Sequence, residues 1–346
     1  MTQSICVYGV INSNGKKKFT PEEKASSGAV YTIPYQDIAC VVSNHQESSF
    51  DCRTREIIAK ELINHQTIVE KVMKEFTIIP IKFGTTLENA DEVRRILEKS
   101  YSEFTEKLEE IDNKIELDVV AVWDDLDSVI KKIGEENKEI RKFKEEIAKK
   151  SPDDTFQEKI RIGSMIKDIL DKQRDALQRE MLEFLYNKVK IDESKKHVLM
   201  ADQMVLNCAF LLDRDRENEF DQALGELNEK YKERINFRCV GPLPLYSFFT
   251  FEVKKVDFDD IDEAKKLLGL GEEVDALEIK TSYRRLVRAR HPDRVPDDID
   301  AQQKFEEIQS AYKMLLNYCQ DERMSLRRDD VEGSYIINIF DIGDLQ

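Results

Sequence analysis

Short runs of β-branched residues, bounded by Asn, Gly, Ser or Pro, recur in the first third of the chain. The runs SICVYGVI (4–11), IACVVSNH (38–45) and IELDVVAVW (115–123) have the composition that favours β-strands. The run TIIPIKFGT (77–85) predicts a further strand, and Pro80 limits it to a sheet edge or an irregular position because proline cannot donate a ladder hydrogen bond. This part of the chain is therefore expected to contain a sheet.

Between these strands the apolar residues fall at helical spacing. Residues 53–76 carry apolar side chains three and four positions apart, and a second helix is expected over residues 89–111. The apolar stripe of the first helix consists of Ile57, Ile58, Leu62, Ile68, Val69, Val72, Met73 and Phe76. The order β–β–α–β–α–β predicts an α+β fold, namely a ferredoxin-like antiparallel α/β sandwich rather than a doubly wound parallel sheet.

Charged residues dominate the next stretch. Residues 124–150 are rich in charge, and their segment EENKEIRKFKEEIAKK (135–150) pairs acids with bases four positions apart, which favours a helix. The motif SPDD (151–154) breaks that helix and starts another, with Ser151 as the N-cap and Pro152 at the first helical position. The second helix is expected to run to about residue 190. The two together predict a long helical hairpin or coiled-coil arm.

A second βαβ-type unit follows. Residues 197–213 predict a strand, residues 217–233 a helix, and residues 235–253 a strand interrupted by Gly241 and two prolines. This strand–acidic cap–helix–strand layout resembles that of residues 77–123. Two explanations stay open: duplicated half-folds, or coincidence between two common patterns.

From residue 257 the pattern becomes all-helical. A short helix ends at LLGLG (267–271), and Asp275 with Glu278 predicts a capping box for the next helix. That helix and the last one carry apolar stripes at steps of three and four, formed by Ile279, Tyr283, Leu286, Phe305, Ile308, Tyr312 and Leu315. Two antiparallel helices joined by the loop HPDRVPDD (291–298) are therefore expected.

The first of these two helices has a basic face. Lys280, Arg284 and Arg288 follow one another at steps of four, and Arg285 lies beside them. Residues 276–294 hold six arginines and lysines against two acids, a net charge of +4. Such a patch steers an acidic partner surface and sets its orientation.

This region resembles the J-domain of DnaJ-type co-chaperones. The resemblance rests on the YRRL helix, the HPD loop and the pattern KFxxIxxAYxxL, in the right order over about 60 residues. It implies that His291, Pro292 and Asp293 engage a DnaK-type chaperone and trigger its ATP hydrolysis. It also implies a partner-facing basic surface, for which the candidate residues are Lys280, Tyr283, Arg284, Arg285 and Arg288. The first helix lacks the family's tyrosine pair, and Arg290 replaces its usual aromatic residue.

Much of the remaining chain resembles the gas vesicle protein GvpL/GvpF family. The resemblance spans roughly residues 4–255 and rests on the helix starting at His65, the motif PIKFGT (80–85), the acidic cap after it and the flanking strands. It implies an accessory protein for assembling gas vesicles from a small, very hydrophobic shell protein. Shell protein and other gas vesicle accessory proteins are the implied partners.

Composition excludes several other classes. The formal net charge of −16 repels polyanions, so neither nucleic acid nor an anionic membrane is an expected partner. The chain shows no signal-peptide pattern and no run of about 18 apolar residues that would span a membrane. Six scattered cysteines without a CxxC pair indicate free thiols in a reducing compartment. We therefore expect a cytoplasmic protein, associated with gas vesicles.

Catalysis and metal binding have few candidate residues. The chain has four histidines, and His65, among apolar neighbours, is expected to be a packing residue. His291 and Asp293 lie in a loop without a nearby nucleophile, and Pro292 holds them apart. The expectation is a protein that is not an enzyme and has no cofactor or metal.

The interpretation combines both resemblances. We expect a GvpL/GvpF N-terminal α+β domain (1–125), a helical plus α+β domain (126–256), a J-domain (257–320) and a tail (321–346) whose run SYIINIFDI is able to add a strand to a sheet edge. The predicted function is gas vesicle assembly, with the J-domain recruiting a DnaK-type chaperone to aggregation-prone shell protein. Two alternatives stay open: a co-chaperone adaptor for an unrelated client, and an assembly factor with a vestigial J-domain.

Overall fold

The chain folds into two compact units. The computed structural model describes residues 3–19, 29–46, 54–147, 155–290, 301–319, 323–332 and 334–340. Within these, unit 1 combines residues 1–108 with residues 249–340, and unit 2 comprises residues 109–248. The four domains expected from the sequence follow one another along the chain, and their bounds stay a prediction.

Strands and helices are mixed along the whole chain, as the predicted α+β class requires. The described strands are β1 (Gln3–Ile11), β2 (Lys18–Phe19), β3 (Val30–Tyr35), β4 (Ile38–Gln46), β5 (Ile78–Pro80), β6 (Thr86–Leu87), β7 (Lys114–Trp123), β8 (Glu193–Lys196), β9 (Met204–Asp213), β10 (Ile235–Leu243), β11 (Thr250–Lys255), β12 (Glu273–Val274), β13 (Met324–Ser325) and β14 (Tyr335–Phe340). The described helices are α1 (Arg55–Met73), α2 (Ala90–Lys99), α3 (Tyr101–Glu110), α4 (Leu126–Glu136), α5 (Lys138–Ile147), α6 (Phe156–Lys188), α7 (Glu217–Lys230), α8 (Phe258–Leu268), α9 (Ala276–Arg290), α10 (Ala301–Cys319) and α11 (Arg328–Val331).

An antiparallel sheet forms the N-terminal part of unit 1. Its strand order is β2-β3-β4-β1-β5, and β6 also pairs with β1. At the bulge after Val7, a Cβ on Gly9 would lie 2.6 Å from the Ile79 carbonyl oxygen, so glycine is what lets β5 approach β1. The predicted helix over residues 53–76 is confirmed as α1, whose core face buries His65, Ile68, Val69, Val72 and Met73. Strand β3 was not predicted.

The predicted helix over residues 89–111 is two helices, α2 and α3. Asn89 caps α2 by accepting hydrogen bonds from two backbone N–H groups. Ser100 then leaves helical geometry, with φ −110° and ψ 26°. This break allows Leu97 and Phe104, on either side of it, both to be fully buried.

Unit 2 is built on a second antiparallel sheet with the order β10-β7-β9-β8. Alternate residues of β7 enter its core, as the period of two in a strand requires; they are Ile115, Leu117, Val119, Ala121 and Trp123. Helices α4, α5, α6 and α7 contribute to the same core. The helix predicted over residues 135–150 corresponds to α5. Asn137 separates it from α4, and its side-chain oxygen caps α5 by accepting from the N–H groups of Glu139 and Ile140.

The second βαβ-type unit is present but is not a duplicate of the first. Strands β9 and β10 lie on opposite sides of β7 in one sheet, whereas β5 and β7 belong to different sheets. The resemblance between the two sequence segments therefore reflects a common local pattern. The predicted strand over residues 197–213 begins only at Met204, because residues before it form a loop in which the Asn207 amide donates to the Val198 carbonyl at 2.9 Å.

The C-terminal helices belong to unit 1. Helices α8, α9 and α10 share a core with the short β12–β13 pair and α11, which includes the buried residues Ile261, Leu268, Val274, Ile279, Ile308, Leu315, Tyr318, Leu326 and Val331. The predicted tail strand is confirmed as β14, which pairs antiparallel with β11. The sequence did not predict which strand it would pair with.

Candidate functional site

The turn between α8 and α9 fixes how α9 begins. Gly269 ends α8 with φ +65° and ψ 43°, a left-handed conformation that glycine adopts without strain. The Ser282 hydroxyl donates to the Leu268 carbonyl and so ties α9 to the end of α8. The predicted capping box is confirmed: Glu278 N donates to Asp275 Oδ1 at 2.8 Å, and Asp275 N donates to Glu278 Oε2 at 3.0 Å.

The apolar face of α9 packs in the core that α10 also lines. Ile279 is fully buried, and the rings of Tyr283 and Tyr312 stack with centroids 4.1 Å apart and planes 18° from parallel. A stacked pair of aromatic rings stabilises by about 1 kcal/mol beyond the contribution of the surface area that the rings bury. The rotation of α9 about its axis is therefore set by packing, and with it the direction of the opposite face.

That opposite face carries positive charge. Arg284, Arg285 and Arg288 are exposed, and together with Thr281 they line an open cleft of about 590 Å³. Arg285 Nη2 donates to Ser282 Oγ at 3.3 Å, which orients its guanidinium toward the end of α8. Like charges four positions apart destabilise an isolated helix by about 0.2–0.5 kcal/mol per pair. A surface built this way suits an acidic partner, which would remove the repulsion.

The eight predicted chaperone-binding residues fall in two groups. Lys280, Tyr283, Arg284, Arg285 and Arg288 lie on α9, where Lys280 is half-buried and Tyr283 belongs largely to the packed face. His291, Pro292 and Asp293 lie outside the described residues and directly follow the end of α9 at Arg290. Their role in binding a chaperone stays a prediction.

A polar cluster in unit 2 was missed by sequence reasoning. Glu116 of β7, only 2% exposed, accepts hydrogen bonds from the backbone N–H of Ser247 at 2.8 Å and from its hydroxyl at 2.6 Å. His197 Nε2 lies 3.2 Å from the same hydroxyl. The signal in the sequence was a pair of acids, Glu116 and Asp118, on one face of an otherwise apolar strand.

Burial controls the acidity of this cluster. Desolvation raises the pKa of Glu116 to about 8, although the two hydrogen bonds from Ser247 oppose the shift. Burial also raises the pKa of Asp118, while the nearby His197 lowers it. The hydrogen bonds from the Ser247 N–H and hydroxyl satisfy the carboxyl group of Glu116 although it is buried. The cluster fastens the chain after β10 to β7.

His65 occupies an aromatic environment in unit 1. Its ring centroid lies 5.1 Å from that of Tyr8 and 5.5 Å from that of Phe83, and the residue is 3% exposed. Burial lowers the pKa of His65 to about 4. The imidazole is therefore neutral near pH 7 and acts as a packing side chain, as the sequence predicted.

Neither a candidate metal site nor a candidate membrane-spanning helix occurs among the described residues. In the described ranges, no three His, Cys, Asp or Glu side chains are grouped so that they could hold a metal ion. None of the helices described is both long enough and apolar enough to cross a lipid bilayer.

Comparison with known proteins covers most of the chain. The family model for the gas vesicle synthesis protein GvpL/GvpF matches residues 4–250. Gas vesicle protein F of a Streptomyces strain is 24% identical over 71% of this chain and 99% of its own, and gas vesicle protein F1 of Halobacterium salinarum is 21% identical over 73% and 96%. The crystal structure of GvpF from Anabaena, 20% identical, superimposes with a TM-score of 0.56 over 70% of this chain and 97% of that one. This last similarity shows a shared fold.

A second match lies C-terminal to the first. The DnaJ domain model matches residues 263–323. The chaperone protein DnaJ of Halothermothrix orenii is 50% identical over 50 residues, which are 14% of this chain and 13% of the DnaJ chain. The similarity to DnaJ is therefore confined to this one domain. The chain belongs to the GvpL/GvpF family of gas vesicle synthesis proteins and carries a DnaJ domain.

Proposed function

We propose that this protein is a non-enzymatic accessory factor for gas vesicle assembly whose DnaJ domain recruits a DnaK-type chaperone to aggregation-prone shell protein. The GvpF-like part would hold the shell protein or the growing shell. The chaperone would supply the ATP hydrolysis. Other gas vesicle accessory proteins would meet the same chain at the vesicle.

The observation that carries the proposal is the basic face of α9. Arg284, Arg285 and Arg288 are exposed and lie three to seven positions before the HPD segment in the sequence. A local net charge of +4 in a chain of −16 orients an acidic surface toward this face and repels it elsewhere. The partner that such a surface fits is an acidic protein, and the DnaJ domain makes a DnaK-type chaperone the candidate.

Joining the two parts in one chain has a physical advantage. A very hydrophobic shell subunit exposes apolar surface that self-associates until it is placed. When client and chaperone bind the same chain, the second binding step becomes intramolecular and its effective concentration reaches the millimolar range for short connections. The fusion would shorten the time for which the client is unprotected.

The ATPase rate of a DnaK-type chaperone tests the recruitment step. We expect the full-length protein to stimulate the rate several-fold, His291→Gln to abolish the stimulation and Arg284→Glu to weaken it, most strongly at low salt. Arg238→Glu is the matched control, because Arg238 is an exposed arginine on β10 in unit 2. Equal rates for parent and His291→Gln would indicate a vestigial DnaJ domain.

A pull-down with the same variants tests the client. Shell protein is expected with the parent and with His291→Gln, whereas the chaperone is expected with the parent alone. If the chaperone is captured without shell protein, the protein is an adaptor for an unrelated client. That result would leave the ATPase result standing and overturn the gas vesicle part of the proposal.

A further inference from the structure

The DnaJ-like helices are enclosed between two paired strands. Strand β11 precedes α8 and strand β14 follows α11, and the two pair antiparallel over six residues from Thr250↔Phe340 to Lys255↔Tyr335. The Val256 N–H also donates to the Ser334 carbonyl at 3.0 Å, where the chain enters and leaves the helices. Both ends of the helical region are thus held at one point.

The β11–β14 ribbon is itself attached to the N-terminal part of unit 1. The Lys82 N–H donates to the Phe251 carbonyl at 3.0 Å, and the Lys82 ammonium contacts Glu252 Oε1 at 2.7 Å. The ring of Phe251 is fully buried, with its centroid 5.1 Å from that of Phe104. Backbone, charge and aromatic contacts therefore converge on β11.

Helix α2 contacts strand β14 and helix α10 through Lys99. Lys99 Nζ donates to the Tyr335 carbonyl at 3.2 Å and lies 5.7 Å from the centre of the Tyr318 ring, which belongs to the core of the DnaJ-like helices. The Tyr335 hydroxyl is hydrogen-bonded to Glu92, and burial together with this bond raises the pKa of Tyr335. One lysine thus bridges the N-terminal helix α2 to both C-terminal elements.

The two strands of this ribbon lie almost entirely outside both family matches. The GvpL/GvpF match ends at residue 250 and the DnaJ match covers residues 263–323, so β14 and nearly all of β11 belong to neither. We propose that β14 is a strap that holds the DnaJ-like helices on the N-terminal α/β fold, so that the basic face of α9 points in one fixed direction. The DnaJ-like helices are thereby held in a fixed orientation and do not move on a flexible linker. This inference does not rest on the proposed function.

Two truncations separate the strap from the rest of the tail. A chain ending after Glu332 lacks β14, whereas a chain ending after Phe340 keeps it and is the matched control. Spin labels on unnatural amino acids at the exposed positions Lys60 and Ser310 would report the distance between α1 and α10 by pulsed electron resonance. We expect one narrow distance in the parent and in the control, and at least a twofold broader distribution in the chain ending after Glu332.

A milder variant keeps the inference testable if the shorter chain does not fold. Lys99→Met preserves the aliphatic stem but loses the hydrogen bond to β14, and it is expected to broaden the distribution and to speed hydrogen exchange of β14 amides at least threefold. A broad distribution in the parent would overturn the inference. So would a narrow one in every variant that folds.

Discussion

Unit 1 buries an imidazole among aromatic rings, whereas unit 2 buries a carboxyl group among hydrogen-bond donors. His65 is held by the rings of Tyr8 and Phe83, and Glu116 by the N–H and hydroxyl of Ser247. Burial disfavours the charged form of both groups, so the pKa of His65 falls to about 4 and that of Glu116 rises to about 8. The same physical cause therefore makes the two units respond oppositely to pH.

The largest effect is expected at Glu116. Replacing it by Leu leaves the buried Ser247 N–H without its acceptor and leaves the Ser247 hydroxyl with His197 Nε2, 3.2 Å away, in place of the carboxyl oxygen. This loss costs about 3 kcal/mol in the free energy of unfolding of unit 2. Glu116→Gln retains an acceptor and is the matched control. Trp123, the single tryptophan of the chain, lies in the core of unit 2, so its fluorescence during urea unfolding reports this unit. Equal stability of the Leu and Gln variants would contradict the assigned role.

Glu116 also sets a pH dependence. Its folded-state pKa of about 8 lies above the ordinary value of 4.5, so between these values the folded state binds a proton that the unfolded state has lost. The stability of unit 2 is therefore expected to fall as the pH rises from 4.5 to 8. Glu116→Gln is expected to reduce this slope, and the part that remains comes from Asp118, whose pKa burial also raises. A parent whose Trp123 unfolding midpoint stays constant or rises over that range would be inconsistent with a buried neutral carboxyl.

His65 gives unit 1 the opposite slope. Its folded-state pKa of about 4 lies below the ordinary value of 6.5, so the unfolded state binds the extra proton between these values. The stability of unit 1 is expected to fall by about 3 kcal/mol as the pH drops from 6.5 to 4. Hydrogen exchange of β1 and α1 amides, corrected for intrinsic exchange rates, measures the stability of unit 1 at each pH. His65→Phe is expected to reduce the dependence of this stability on pH. If the stability of unit 1 depends on pH equally in the parent and in His65→Phe, His65 is not the cause of the dependence.

The smallest effects on stability are expected from replacing one glycine in each unit by alanine. Gly269→Ala in unit 1 is expected to destabilise by about 1 kcal/mol, because its φ of +65° strains any residue with a Cβ. Gly163→Ala in unit 2 lies within α6, where a Cβ would meet nothing within 4 Å, and is expected to stabilise by about 0.8 kcal/mol. Thermal unfolding of both variants measures these changes in stability. Changes of the same sign in the two variants would contradict the prediction.

The units also differ in how well sequence reasoning predicted them. Among the described residues, unit 2 comes from one stretch of the sequence, and the alternation in β7 and the periodicity of α6 and α7 sufficed to predict its main elements. The helix breaks at Ser100 in unit 1 and at Asn137 in unit 2 were not predicted. A single serine or asparagine in a helical pattern either continues the helix or caps a new one, and only the packing on both sides decides which. Strand β8 was missed because its sequence ESKK carries no β-branched residue.

Unit 1 depends on contacts between distant parts of the chain. The strand propensity of residues 334–342 was evident, but its pairing with β11 joins residues about 80 positions apart that no local pattern connects.

The basic face of α9 and its capping box were predictable, because both are set by spacing within one helix. The Glu116 cluster was not, since Ser247 and His197 reach β7 from loops.

We propose that the DnaJ domain and the GvpF-like body act together on shell protein. Light scattering of shell protein diluted from denaturant, with a DnaK-type chaperone, ATP and either the parent or His291→Gln, tests this most directly. We predict that the parent suppresses aggregation and that His291→Gln, although it still binds shell protein, does not. Equal suppression by both proteins would contradict the claim, and so would aggregation that neither of them reduces.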